Sequence, residues 1–256
     1  MSDASSPPPP AWDYSAHAPH YDKRADYAGE AIDALLTLAR LRKDVPIVDI
    51  GAGTGKLTRM LLARGFEVRA VEPNRAMREL GVQNTAGMRV TWSEGTGEET
   101  LLPAASFDLV TFGSSFNVTD RPRALREAAR ILAPRGWFAC MWNHRDLDDP
   151  IQALCERTIR ERIPHYDYGS RREDQTGTIL ESGLFDAPER IDGRTLHRVS
   201  VEDFVEGWRS HATLARQAGS RLEEVIAAIS EELAGRGPLE VPYVTRVWCA
   251  RLRELP

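Results

Sequence analysis

The spacing of apolar and polar positions changes several times along this chain, and each change marks an element. Between residues 29 and 41, Ala31, Ile32, Leu35, Leu36 and Leu38 recur at helical spacing. Residues 46–50 (PIVDI) then form a short apolar run closing on glycines, the pattern of a buried parallel strand. Residues 56–64 read as a helix stopped by Gly65, residues 66–71 as a second strand, 74–80 as a helix and 88–92 as a third strand. A fourth strand is expected at 107–112, an amphipathic helix at 123–132, a turn at 133–136 and a fifth strand at 136–142. Beyond Asn143 the rhythm loosens: a helix at 151–163, an irregular polar stretch at 164–177, a strand at 190–199, helices at 201–216 and 222–234, and a last alternating strand at 241–252.

Strands alternating with helices at this spacing imply βαβ units. The expected fold class is therefore α/β: a doubly wound, mostly parallel seven-stranded sheet with a helical elaboration after the fifth strand. The expected organisation is a disordered tail at 1–10, carrying four successive prolines, followed by one domain at 11–256. Within it, 11–45 would be a lid and first helix, 46–143 a core, 144–240 an elaboration on the substrate side and 241–252 the last strand. Trp12, Tyr14, His17, His20, Tyr21 and Tyr27 are too many large side chains for an idle linker, and they point to a lid.

Composition narrows the function. With 42% hydrophobic and 28% charged residues among 256, the chain is neither fibrous nor wholly disordered. A net charge of −5 argues against a nucleic-acid partner. No run approaches the roughly 18 apolar residues that a spanning helix needs, and the first residues lack the pattern of a secretory signal. Three widely spaced cysteines, Cys140, Cys155 and Cys249, suit a reducing compartment, so a cytoplasmic location is expected. A small molecule is the expected partner, with neither nucleic acid nor membrane, and a second copy of the chain is admissible.

The densest local signal is residues 48–58 (VDIGAGTGKLT). Glycines directly after a buried strand let backbone approach a ligand, and the next helix offers free N–H groups. A phosphate-binding P-loop would need glycine at Ile50 and Ser or Thr at Leu57. The dinucleotide fingerprint G-x-G-x-x-G is missed by one place, because the third glycine is Gly55 and Lys56 follows it.

The spacing G-x-G-x-G, with Asp49 two residues before it, resembles motif I of the class I S-adenosylmethionine-dependent methyltransferases. Glu72, after the second strand in AVEPN, matches the acidic residue with which that family holds the ribose hydroxyls; a carboxylate can accept from both hydroxyls of a vicinal diol. Residues 94–103 (EGTGEETLLP) resemble the adenine loop, with Gly97 and Glu98 at the contacting places, and 132–136 (LAPRG) resembles an L-x-P-G-G turn with Arg135 replacing a glycine. The resemblance implies S-adenosyl-L-methionine as cofactor, held by Asp49, Gly51, Ala52, Gly53, Gly55, Glu72, Pro73, Gly97, Glu98 and Gly113. Residues 111–120 (TFGSSFNVTD) and 142–146 (WNHRD) are similar to small-molecule enzymes of the trans-aconitate methyltransferase type. Here Ser114, Asn117 and Val118 stand where that group carries glutamine, histidine and tryptophan beside the transferring methyl. The entry YDKRADY, residues 21–27, resembles the same lead-in, which makes Arg24 a candidate for the methionine carboxylate, its alternative being a solvated arginine.

On the acceptor side, Tyr21, Asn117 and Arg171 are the candidate contacts. His144 lies at the carboxyl end of the fifth strand, where open α/β folds bind ligands, and is the candidate base. His211, on the expected helix at 201–216, is the second. Each has a plain structural alternative, a strand-end cap and a helix-surface residue. O-methylation is the favoured chemistry, with N- or C-methylation and a non-catalytic cofactor-binding protein as alternatives. No metal is expected: Asp146, Asp148 and Asp149 cluster, but Asp149-Pro150 is ordinary helix-start chemistry.

Overall fold

A computed structural model describes residues 18–254; the expected tail at 1–10 and the side chains of Trp12, Tyr14 and His17 lie outside the described residues. The strands are β1 (Ile47–Ile50), β2 (Val68–Val71), β3 (Val90–Ser93), β4 (Phe107–Gly113), β5 (Leu132–Arg145), β6 (Glu189–Val199) and β7 (Leu239–Arg251). They form one seven-stranded sheet in the order β3-β2-β1-β4-β5-β7-β6. All neighbours from β3 through β5 pair in parallel, and β7 alone is reversed, antiparallel to both β5 and β6. The chain order turns back between β1 and β4, the topological switch at which doubly wound sheets open a crevice at their carboxyl ends.

Period-two alternation sends successive side chains to opposite layers. Ile47, Leu109, Ala139, Met141 and Val247 pack with α2 (Gly29–Leu38) and α3 (Lys56–Ala63). Their neighbours Val48, Val110, Phe138, Cys140, Trp142 and Trp248 face the other way, onto α5 (Arg121–Ile131). The remaining helices are α1 (Ala18–Tyr21), α4 (Arg75–Asn84), α6 (Pro150–Arg162), α7 (Thr176–Glu181), α8 (Val201–Arg209), α9 (Ala212–Ala218) and α10 (Leu222–Leu233). A third apolar cluster joins α6, α8, α9 and α10 through Ile159, Trp208, Leu214 and Ile229 to Leu239 and Val241 of β7. No helix among the described residues is long and apolar enough to cross a membrane.

Helix starts follow local chemistry. Asn74, Asp120 and Asp149 each accept the N–H three residues on, from Met77, Arg123 and Gln152, and Pro150 opens α6 as expected. Two boundaries differ from the sequence reading. The single helix expected at 201–216 is broken, because the Ser210 hydroxyl donates to the Gly207 carbonyl and His211 becomes the residue before α9. The turn at 133–136 is absorbed into β5 by a register shift between Phe107 and Leu109, with Arg135 at φ 64 where the family pattern has glycine.

The sheet's β6 side is pinned to α2 at Gly193, where a Cβ would stand 2.8 Å from Ala31 Cβ and 3.1 Å from Ala31 N. Gly193→Val should therefore lower stability by about 1–3 kcal/mol, the usual range for overpacking. Urea midpoints test this, with Gly177→Ala as control, since nothing lies within 4 Å of a Cβ there. Equal midpoints for Gly193→Val and wild type would overturn the packing argument.

Candidate functional site

The glycine loop runs from β1 into α3 at the switch point. Gly51, Gly53 and Gly55 have φ of 64, 60 and 85, and a Cβ at Gly51 would stand 2.4 Å from that of Ser115. Glu72 is buried directly after β2. Its Oε2 accepts the Gly53 N–H at 2.8 Å and its Oε1 the Asn74 N–H at 2.9 Å. Burial raises its pKa while these bonds pull the other way. Each oxygen keeps a lone pair for a further donor. Asp49 accepts from the Thr58 hydroxyl at 2.7 Å and the Thr111 hydroxyl at 3.3 Å. Burial pushes it up to about 7, so its work is to join β1, α3 and β4.

These elements enclose a cavity of about 260 Å³. Of the residues expected to hold a cofactor, Gly51, Gly53, Glu72, Pro73, Gly97 and Glu98 line it. Gly97 is tightly placed, since a Cβ there would stand 2.6 Å from Thr119 Cγ2. Glu98 accepts the Asp120 N–H at 2.6 Å. Asp49, Ala52, Gly55 and Gly113 are not in the lining. Ala52 donates its N–H to the Val71 carbonyl, Gly55 lies against Thr85 and Trp92, and Gly113 lies against Leu57 and Tyr27. They shape the cradle from behind. Tyr21, expected on the acceptor side, lines this cavity instead. Asn117 lines neither this cavity nor the next; its Oδ1 accepts from Trp142 Nε1 at 2.8 Å.

The segment 22–27, part of the expected lid, lies over the loop as a strap held by contacts that the sequence reading missed. Lys56 Nζ, almost wholly buried, donates to the Arg24 carbonyl at 2.8 Å and to Asp26 Oδ1 at 2.7 Å. Asp22 accepts from the Thr54 hydroxyl at 2.7 Å and from Asn84 Nδ2 at 2.8 Å. Tyr27 Oη meets Ser114 Oγ at 2.8 Å, with Ser114 itself at φ 58. The available signal was Lys56 standing where a dinucleotide loop has no use for it.

Beyond the strap lies a second cavity of about 80 Å³. It brings together Arg24, His144, Arg171 and His211, four candidates from distant parts of the chain. Arg24 lies 4.8 Å over the Tyr21 ring and lines this cavity rather than the first, which corrects its expected place against the cofactor. His144 is buried, and burial together with Arg246, Arg172 and Arg171 pushes it down to about 3, against the pull of Asp192. An imidazole so depressed is a weak proton acceptor, so its surroundings oppose the base role. His211 sits at the helix break rather than within a helix. Its Nε2 is 3.4 Å from Arg171 Nη1, and burial followed by Arg171 lowers its pKa well below the ordinary value. Arg145, Arg172, His197 and Trp208 also line this cavity and were not among the expected site residues, although Arg145 stands within the WNHRD segment. Asp149 caps α6 and Asp146 pairs with Arg194 at 3.3 Å; among the described residues no group of three or more His, Cys, Asp or Glu comes together as a metal site.

The depressed imidazoles fix a pH dependence. His144 titrates near 6.5 when unfolded and about 3 when folded, so between these values the unfolded chain binds more protons. Its contribution to stability is complete above 6.5 and is lost as the pH falls toward 3. Melting temperatures from pH 7 to pH 4 should fall less steeply for His144→Gln than for wild type, and parallel curves would refute the assignment.

The family profile described as a methyltransferase domain matches residues 48–140. An uncharacterized methyltransferase of Mycobacterium tuberculosis is 42% identical over 123 residues, 48% of each chain. The chain thus spans about half the length of the mycobacterial relatives it matches. A ubiquinone/menaquinone biosynthesis C-methyltransferase of Caulobacter vibrioides is 33% identical over 180 residues, covering 63% of this chain and 71% of that one. Among solved structures, a putative type II methyltransferase from Anaeromyxobacter dehalogenans shares the fold, with a TM-score of 0.67 at 23% identity over 89% of this chain and 97% of that one. With the glycine loop and buried Glu72 in the places that sequence and fold both require, the chain belongs to the class I S-adenosylmethionine-dependent methyltransferase family.

Proposed function

We propose that the chain transfers a methyl group from S-adenosylmethionine to an oxygen of a small polar acceptor, in the manner of the small-molecule enzymes similar to the trans-aconitate methyltransferase type. The observation that carries this reading is the placing of Glu72, a buried carboxylate on the glycine loop, in the wall of a cavity of about 260 Å³, with a smaller polar cavity across the strap. Bound in the larger cavity, the cofactor supplies an electrophilic methyl group. Glu72 would accept from the ribose hydroxyls, Gly97, Glu98 and Val118 would flank the base, and Tyr21 and the strap would shield the site from water. The chain's part is alignment of acceptor and methyl rather than bond-making.

The name of the Caulobacter relative raises C-methylation as the second reading. The arginines and histidines of the smaller cavity favour a polar acceptor over an apolar one. The neutral His144 favours an oxygen that arrives already ionised, a carboxylate, which needs no base.

Three measurements test this. S-adenosylhomocysteine should raise the melting temperature while NAD and ATP do not; stabilisation by NAD alone would defeat the cofactor assignment. Glu72→Ala should weaken S-adenosylhomocysteine by about 1–3 kcal/mol, the cost of a lost buried acceptor, and Lys56→Met should weaken it by loosening the strap; wild-type affinity in both would place the site elsewhere. With S-adenosylmethionine and a panel of small carboxylic and hydroxy acids, product mass and fragmentation should locate the methyl on oxygen. Replacement of His144 by Gln should leave carboxylate turnover within about threefold, whereas a fall of about 10²–10⁴ would identify a hydroxyl acceptor that needs a base.

A further inference from the structure

The second cavity has a composition at odds with the rest of the chain. Fifteen residues line it, five of them Lys or Arg and three His, with no Asp or Glu. The whole chain carries a net charge of −5, so this concentration is local. The cofactor cavity has the opposite lining, with Glu72 and Glu98 and no Lys or Arg.

Three observations show a built site within this wall. The Arg145 side chain is 6% exposed; its Nη2 donates to Glu156 at 2.5 Å and to Tyr168 Oη at 2.9 Å, while its buried Nη1 has no partner. Its guanidinium is held in place, 4.9 Å from the Trp208 ring centre and 5.4 Å from that of Tyr168. Arg172 stacks 3.7 Å from the Tyr168 ring centre and donates to the Arg145 carbonyl at 3.3 Å. Finally, Arg171 has only donors to offer, so His211 Nε2 must accept from it at 3.4 Å. The neutral ring of His211 then carries its proton on Nδ1, a buried N–H without a partner.

Buried donors without acceptors are costly, and an excess of cations with neutral imidazoles between them is the complement of an oxyanion. We infer that this cavity seats an anionic group of the methyl acceptor, a carboxylate or phosphate distinct from the atom that is methylated, held by Arg145 Nη1, Arg171, Arg172 and the Nδ1–H of His211. The inference rests on the methyl-transfer reading only in naming the ligand as the acceptor. The wall shared by the two cavities, Tyr21 on one side and Arg24 stacked on it from the other, sets the anion apart from the cofactor. The acceptor class is therefore a small molecule with an anionic arm and a separate nucleophile.

The test measures anion binding without turnover, using the full chain saturated with S-adenosylhomocysteine. Inorganic phosphate and succinate are titrated by calorimetry, with succinamide as the uncharged counterpart, on wild type and on Arg172→Gln and Arg171→Gln. Arg145 is left intact because removing it would also break its contacts with Glu156 and Tyr168, which shape the wall. One anion should bind at a single site, succinamide should not, and each variant should lose at least about tenfold, the loss of one charge-assisted hydrogen bond. Both variants should keep wild-type affinity for S-adenosylhomocysteine. In histidine-labelled protein, the His211 Nδ1 resonance should move on anion addition in wild type and stay fixed in Arg172→Gln. Preference for phosphate over succinate identifies the phosphorylated class, and the reverse identifies the carboxylic class. Binding of neither anion, equal binding of succinamide, or undiminished binding in both variants overturns the inference. If S-adenosylhomocysteine fails to bind wild type, the methyl-transfer reading fails instead, and the same titrations on the unliganded chain still decide the anion seat.

Discussion

The carboxylate of Glu72 is the fixed point on which the cofactor cavity hangs. One oxygen holds the Gly53 N–H of the glycine loop and the other the Asn74 N–H that precedes α4. These two segments leave neighbouring strands, and the Ala52 N–H, donated to the Val71 carbonyl, is a second tie between them. A carboxylate buried without such donors would be expelled or protonated, since desolvation alone costs several kcal/mol. With two N–H groups fixed on it, the charge is tolerated and the loop cannot relax outward. Asp49, one strand over, is held by the hydroxyls of Thr58 and Thr111, and there too burial is the leading cause, lifting its pKa to about 7. Of the two buried carboxylates, Glu72 is the one that lines the cavity.

Charge is then sorted by the strap between the cavities. Two like charges about 4 Å apart repel by about 4 kcal/mol at an effective dielectric of 20. Stacking on Tyr168 and Trp208 contributes about 0.5–2 kcal/mol for each guanidinium. Glu156 helps, but Arg145 and Arg160 share it. The histidines add no further charge: His144, His197 and His211 are all lowered, with burial the leading cause in each. The sorting leaves carboxylates in the lining of one cavity and donors in the lining of the other.

The cofactor half of this arrangement was legible because it is local. Gly51, Gly53 and Gly55 follow a strand directly, Glu72 follows the next, and each residue's role depends on backbone within a few positions of it. The second cavity is assembled from residues 23–25, 143–145, 168–172 and 204–211, and no periodicity links those segments. The break before α9 was equally hidden, since no proline or glycine interrupts Ser210–His211 and the helix yields to a side-chain hydroxyl bonding back to the Gly207 carbonyl. Lys56 was visible but misvalued: read as a blemish in a phosphate loop, it is the buried ammonium that ties 24–26 to α3.

The departures from the trans-aconitate pattern gain meaning from the same geometry. Ser114, Asn117 and Val118 stand where that pattern sets polar and aromatic groups beside the methyl, yet none of them lines the second cavity. Ser114 is spent on Tyr27, Asn117 on Trp142 Nε1, and Val118 faces the cofactor cavity. Of these three positions, Ser114 and Val118 border the cofactor cavity and Asn117 is committed to the frame. On the function proposed above, polar recognition of the acceptor falls to the second cavity, where the end of β5, the 169–172 turn and the start of α9 place arginines and histidines.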